Sequence, residues 1–161
     1  MVTRLIGVTG GEVVVAALQA HGVEVVFGIP GTHNLSIFDA LRRYGVRTVA
    51  TTHEQGAGYA ADGYARTGRR PGVAVVTSGP AVYNAATAVA QAYSECVPMV
   101  VFPGGGGSFV KPEFNATMNF QHITKHAEIV SSTGNVLAAL RRAFTIARNG
   151  RPGPVLLEFA N

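Results

Sequence analysis

Glu54 directly follows a β-branched stretch and is followed by Gly56, Ala57, Gly58, Ala60, Ala61 and Gly63. A carboxylate that opens a helix is stabilised by the free amides and dipole there, and it needs no further role. The small residues of the next turns also leave room for a flat ligand or for another subunit. A carboxyl aimed into such a cleft can share a proton with a ring nitrogen. Spacing alone leaves both readings open.

Three other segments have the same character. They are Pro30-Gly31-Thr32-His33-Asn34, Thr77-Ser78-Gly79-Pro80 with Asn84 beyond it, and Pro103-Gly104-Gly105. Glycine and proline at such places let a ligand come close to the backbone. His33 has a side chain suited to moving protons near neutral pH. The alternative is a loop histidine that packs or caps the helix after it.

Regular elements must bring these segments together. Thr9 and Glu12 have the spacing of a capping box, which starts a helix running to about Ala20. Residues 23–29 read as a strand, residues 35–44 as a helix ended by Gly45, and residues 46–51 as a second strand. A helix of small residues is expected over 54–66, a strand over 73–76, one helix from Pro80 to about Tyr93, and a strand over 99–102. The stretch from Pro103 to about Gln121 has little periodicity, and such long irregular segments are usually functional or mobile. A short strand over 127–131, an amphipathic helix over 135–148 stopped by Asn149-Gly150, and a strand over 155–159 complete the chain.

Six apolar strands alternating with helices imply an α/β fold. The expectation is a three-layer αβα arrangement around a six-stranded, mainly parallel, flavodoxin-like sheet. Ligands in such folds bind beyond the carboxyl ends of the strands. All four chemistry-bearing segments fall there.

Composition bounds the rest. The chain has 161 residues, of which 47% are hydrophobic and 14% charged, with a formal net charge of +4. This suits one domain over residues 1–161. So little charge hints at surface covered by a partner, although an Ala- and Val-rich domain scores the same way. The arginine pairs 42–43, 69–70 and 141–142 are scattered, so no basic stripe for nucleic acid is expected. Cys96 is the only cysteine, which excludes an internal disulfide, and its setting suits a buried structural thiol. No secretory signal and no apolar run long enough to cross a membrane are visible, so a cytoplasmic location is the default.

The run from Phe27 to Leu35, the run from His53 to Arg66, Thr77-Ser78-Gly79-Pro80 with Asn84, and Arg151-Pro152-Gly153-Pro154-Val155 occur in a particular order. That order and spacing resemble the N-terminal pyrimidine-binding domain of thiamine diphosphate (ThDP) enzymes of the acetolactate synthase and 2-oxoacid decarboxylase type. The resemblance covers nearly the whole chain. It implies that Glu54 hydrogen-bonds N1′ of the cofactor's aminopyrimidine and so promotes loss of the thiazolium C2 proton. It also implies that Pro30, Gly31, Pro80 and Asn84 border the pyrimidine, with Thr77 and Gly79 in the same loop. Some members carry a histidine at the position matching His33, which makes it a candidate proton shuttle. His53, His122, Lys125 and His126 are expected to be structural.

The chain also departs from the family pattern. Ala81 and Tyr83 replace smaller residues and are expected to crowd the pocket edge. No Gly-Asp-Gly element is present, whereas the family uses one to hold Mg²⁺ and the diphosphate. No metal site is therefore expected here. The resemblance then implies that the diphosphate and Mg²⁺ sit on a partner chain with a diphosphate-binding domain, in an α₂β₂ hetero-oligomer acting on a small 2-oxoacid. Two alternatives are a non-catalytic scaffold with the same fold and, from a different class, a flavodoxin-like nucleotide-binding domain.

Overall fold

The Thr9 amide donates to Glu12 Oε2 at 2.7 Å, and the Glu12 amide donates to Thr9 Oγ1 at 3.3 Å. This reciprocal capping satisfies two amides that the first turn would leave free. The helix it starts, α1, spans Gly10–Ala20. The computed structural model describes residues 8–68, 70–105 and 114–160.

The chain continues through β1 (Val25–Gly28), α2 (Leu35–Arg43), β2 (Arg47–Ala50), α3 (Glu54–Gly68) and β3 (Gly72–Val76). Then come α4 (Pro80–Asn84), α5 (Ala86–Ser94), β4 (Met99–Pro103) and a short α6 (Ala116–Asn119). The last elements are β5 (His126–Val130), a 3₁₀ turn over Thr133–Asn135, α7 (Val136–Arg148) and β6 (Pro154–Phe159).

The six strands form one sheet in the order β2-β1-β3-β4-β6-β5, with every pairing parallel. Because all strands run the same way, all their carboxyl ends lie at one edge. Residues alternate between the faces, as the pleat requires. Val26, Val73, Val75, Val100, Phe102, Val155 and Leu157 join α1, α2 and α7 in one core. Val25, Phe27, Ala74, Val76, Met99, Val101 and Leu156 join α3, α4 and α5 in the other. The result is the expected three-layer α/β fold, with both faces of the central strands covered.

The edge strand β2 differs from the four inner strands, since Arg47, Thr48 and Ala50 are exposed. The helix expected from Pro80 to about Tyr93 is two helices that meet at Ala85. The break leaves Asn84 as the last residue of α4, while α5 packs against α3 through Ala88, Val89 and Ala92. Ala57, Gly58 and Ala61 of α3 are buried, so half of its small residues serve packing within the chain. Gly56 and Gly63 remain exposed.

Cys96 is half-buried rather than buried. It sits just after α5 at φ 59°, the left-handed position that commonly ends a helix. Its Sγ accepts from Arg151 Nε at 2.9 Å. Several surface arginines pair with carboxylates: Arg43 with Glu12 and Asp39, Arg70 with Glu24, and Arg142 with Glu128. No helix among the described residues is long and apolar enough to cross a membrane. Of the irregular stretch, residues 106–113 lie outside the described residues.

Candidate active site at the carboxyl edge of the sheet

Backbone hydrogen bonds continue the sheet past the strand ends and tie the four segments together. The Thr51 amide donates to the Gly28 carbonyl, that of Ile29 to Val75, and that of Gly104 to Val76. The β1 loop is also braced from within. Asn34, fully buried, accepts from the Gly31 amide through Oδ1 at 2.7 Å and donates from Nδ2 to the Ile29 carbonyl at 3.1 Å. Burying an amide side chain is costly unless its bonds are made. Asn34 makes them to the backbone on either side of Pro30, which fixes the Pro30-Gly31 turn. The sequence around Pro30 and Gly31 carries no signal for this bracing by Asn34.

Glu54 is the first residue of α3. His53 precedes it and takes up a free amide of that helix, its Nδ1 accepting from the Gln55 amide at 3.2 Å. This matches the structural role expected of His53. Glu54 is half-buried, and its Oε2 accepts from Asn84 Nδ2 at 2.9 Å. Its other carboxylate oxygen has no hydrogen-bond partner among the described residues. The pair joins the end of β2 to the end of α4, although 30 residues separate them in sequence.

His33 belongs to a second group. Its Nδ1 lies 2.7 Å from Ser78 Oγ and 3.5 Å from Thr77 Oγ1. The adjacent Gly31 also faces Thr77: a β-carbon at Gly31 would come within 3.1 Å of it. Gly104 lies against His33, and a β-carbon on Gly104 would stand 2.8 Å from that of His33. His33 therefore sits between the β3 and β4 loops. It also lines a cavity of about 250 Å³ with Gly10, Ser36, Ser132 and Thr133. Glu54 and His33 do not bond each other directly. The loop that holds His33 through Thr77 and Ser78 continues into the helix that ends at Asn84.

Gly79 makes that connection. Its φ of 66° and ψ of −135° suit glycine alone, and the turn delivers Pro80 to the first position of α4, where proline is favoured. Gly79 is buried, while Pro30, Pro80 and Asn84 are exposed around it. Tyr83, expected to crowd this edge, packs its ring edge-on against Phe114 and Phe120, with centroids 5.5 Å away in each case. Its hydroxyl accepts from Asn119 Nδ2.

The donor set fits an aminopyrimidine. One carboxylate oxygen of Glu54 is held by an amide, and the other, without a partner among the described residues, could accept from a ring nitrogen beside turns of glycine and proline. Among the described residues, no three His, Cys, Asp or Glu side chains come together as metal ligands.

A sequence profile for the thiamine pyrophosphate enzyme N-terminal TPP-binding domain matches residues 8–126. The chain belongs to this family. It is 40% identical over 156 residues to an acetolactate synthase large subunit of Haemophilus influenzae, covering 93% of this chain and 27% of that protein. A mitochondrial acetolactate synthase catalytic subunit of Saccharomyces cerevisiae is 38% identical over 98% of this chain and 24% of its own length. A probable 2-ketoarginine decarboxylase of Pseudomonas aeruginosa is 38% identical over 91% of this chain and 28% of its own length. The chain thus spans about a quarter of the length of these relatives and corresponds to the N-terminal domain of a ThDP-dependent enzyme.

Proposed function

We propose that this chain is a single pyrimidine-binding domain over residues 1–161. It would activate ThDP for decarboxylation or carboligation of a 2-oxoacid, while a partner polypeptide holds the diphosphate and Mg²⁺. The observation that carries this reading is the Glu54–Asn84 pair. It leaves one carboxylate oxygen without a partner among the described residues, at the edge where α/β folds bind ligands. That edge is where the family's pyrimidine would lie.

ThDP, when bound, supplies the electron sink for cleavage beside the oxo carbon. Glu54 would share a proton with N1′ of the pyrimidine. Asn84 fixes the rotamer of Glu54, so that the free oxygen is aimed before the cofactor arrives. Pro30, Gly31, Thr77, Gly79, Pro80 and Asn84 would border the ring. His33 gives and takes the proton at the reacting carbon or its oxygen. Acetolactate synthases and a probable 2-ketoarginine decarboxylase are among the similar proteins, which favours a 2-oxoacid as substrate. An α₂β₂ arrangement would place this edge against the diphosphate-binding partner.

The test is calorimetric titration of ThDP with Mg²⁺ into the chain alone and into the complex purified from its own host. Tight binding is expected in the complex only. Tight binding by the isolated chain overturns the shared site, and binding by neither overturns the cofactor assignment.

A further inference from the structure

Among the described residues, His33 is held at one nitrogen only. Both of its contacts, to Ser78 Oγ at 2.7 Å and to Thr77 Oγ1 at 3.5 Å, are made by Nδ1. Nε2 has no hydrogen-bond partner among the described residues. The side chain is exposed and borders the open cavity. The other ring nitrogen is therefore the one available to a ligand.

The bond made at one imidazole nitrogen decides where the single proton of the neutral ring resides. A serine hydroxyl can donate or accept, so Ser78 alone does not choose. Thr77 does. Two hydroxyl oxygens flank one nitrogen at unequal distances. One N–H can be shared between two acceptors in a three-centre bond, whereas a single in-plane lone pair serves one donor well. The two oxygens together suit a protonated Nδ1 that donates chiefly to Ser78.

We infer that Ser78 is a positioning residue for His33, holding it in the Nδ1–H form so that Nε2 is the atom that exchanges protons in the cleft. This rests on the proposed role of His33. In the neutral ring so held, Nε2 carries a lone pair and accepts a proton. In the protonated ring it donates that same proton, and Nδ1–H stays on Ser78 throughout. The hydroxyl moves no proton itself. Gly104 closes the arrangement from the other side by lying against the β-carbon of His33.

The experiment begins with the tautomer, read from long-range ¹H–¹⁵N correlations of the ¹⁵N-labelled chain at about pH 8.5, where an ordinary imidazole is neutral. The parent chain should show His33 mainly as Nδ1–H. Ser78→Ala should lower the ratio of Nδ1–H to Nε2–H by about tenfold, the scale of one good hydrogen bond. Ser78→Thr, which keeps the hydroxyl, should retain it. An Nε2–H ring in the parent, or an unchanged ratio in Ser78→Ala, overturns the inference.

In the completed enzyme, Ser78→Ala should lower kcat about tenfold with little change in KM. It should have no further effect in a His33→Ala background, and the C2 proton exchange ascribed to Glu54 should be unaltered. A fall in that exchange, or an added loss without His33, means that Ser78 acts on the cofactor pocket, and the positioning role falls. The tautomer measurement needs no cofactor, so it stands even if the Glu54 reading fails.

Discussion

Asn84 Nδ2 donates to Oε2 of Glu54 across 2.9 Å, and this bond exists because the helix after β3 stops at Asn84 and restarts at Ala86. An uninterrupted helix would hold Asn84 in register with α5, which packs against α3. The amide restrains one carboxylate oxygen, and the other has no partner among the described residues. Glu54→Gln keeps the shape and removes the exchangeable carboxyl proton. It should slow ThDP C2 proton exchange in the completed enzyme by about 10²–10⁴-fold. Asn84→Ala removes only the restraint, so a loss of about tenfold is expected. Equal losses in the two variants would mean that Asn84 contacts the cofactor directly.

Gly79 gives a prediction about stability rather than chemistry. Its conformation is unfavourable for any side chain, and Pro80 after it allows little relief. Gly79→Ala should therefore destabilise the fold by about 1–3 kcal/mol, measured by urea unfolding. Ala at the exposed Gly63, which has open space around it, should have no such cost and should gain helix propensity.

Much of this was legible in the sequence. Continuous apolar strands announced a buried parallel sheet, and the Thr9–Glu12 spacing announced the start of α1. Gly and Pro after four strands announced one functional edge, because parallel strands end together. The Ala85 break was not legible. No proline or glycine marks it, and it falls within an alanine-rich run that helices tolerate anywhere. Ser78 and Asn34 were not assigned a task either. A loop serine looks alike whether its partner is water or a histidine 45 residues away, and only the assembled sheet brings the β1 and β3 loops together. The position of Cys96 depends likewise on where α5 stops.

His21 makes the fold sensitive to pH. Burial, and then the charges of Arg148 and Arg141, hold its pKa below the ordinary histidine value. The ring stacks on Phe144 at 4.4 Å between centroids. As pH falls below about 6.5 the unfolded chain takes up this proton before the folded one. Stability is therefore full above that pH and is lost as pH drops through the lower folded-state value. The loss should be under about 1 kcal/mol, because the ring is partly exposed. Glu12 and Glu128, both lowered from 4.5, lose their contributions only at more acid pH. His21→Phe should keep the stack and flatten the unfolding midpoint between about pH 7 and 5. A slope unchanged by the substitution would assign the effect to another group.

His33 and Glu54 have separable jobs, and Gly104 offers a way to disturb one alone. His33→Ala should lower kcat by about 10²–10⁴-fold if the ring carries a proton in turnover, while C2 exchange stays near the parent rate. Gly104→Ala adds a methyl group where only 2.8 Å separates it from the His33 β-carbon. Neither partner is the end of a flexible chain, so the His33 loop must shift. A displacement of about 1 Å is enough to cost roughly 10²-fold in a positioned site, so Gly104→Ala should reproduce much of the His33→Ala loss with the histidine still present. Both variants should bind ThDP with Mg²⁺ in the complex as the parent does. If Gly104→Ala instead weakens cofactor binding and leaves turnover of the bound enzyme intact, the β4 loop borders the pyrimidine and His33 is a packing residue.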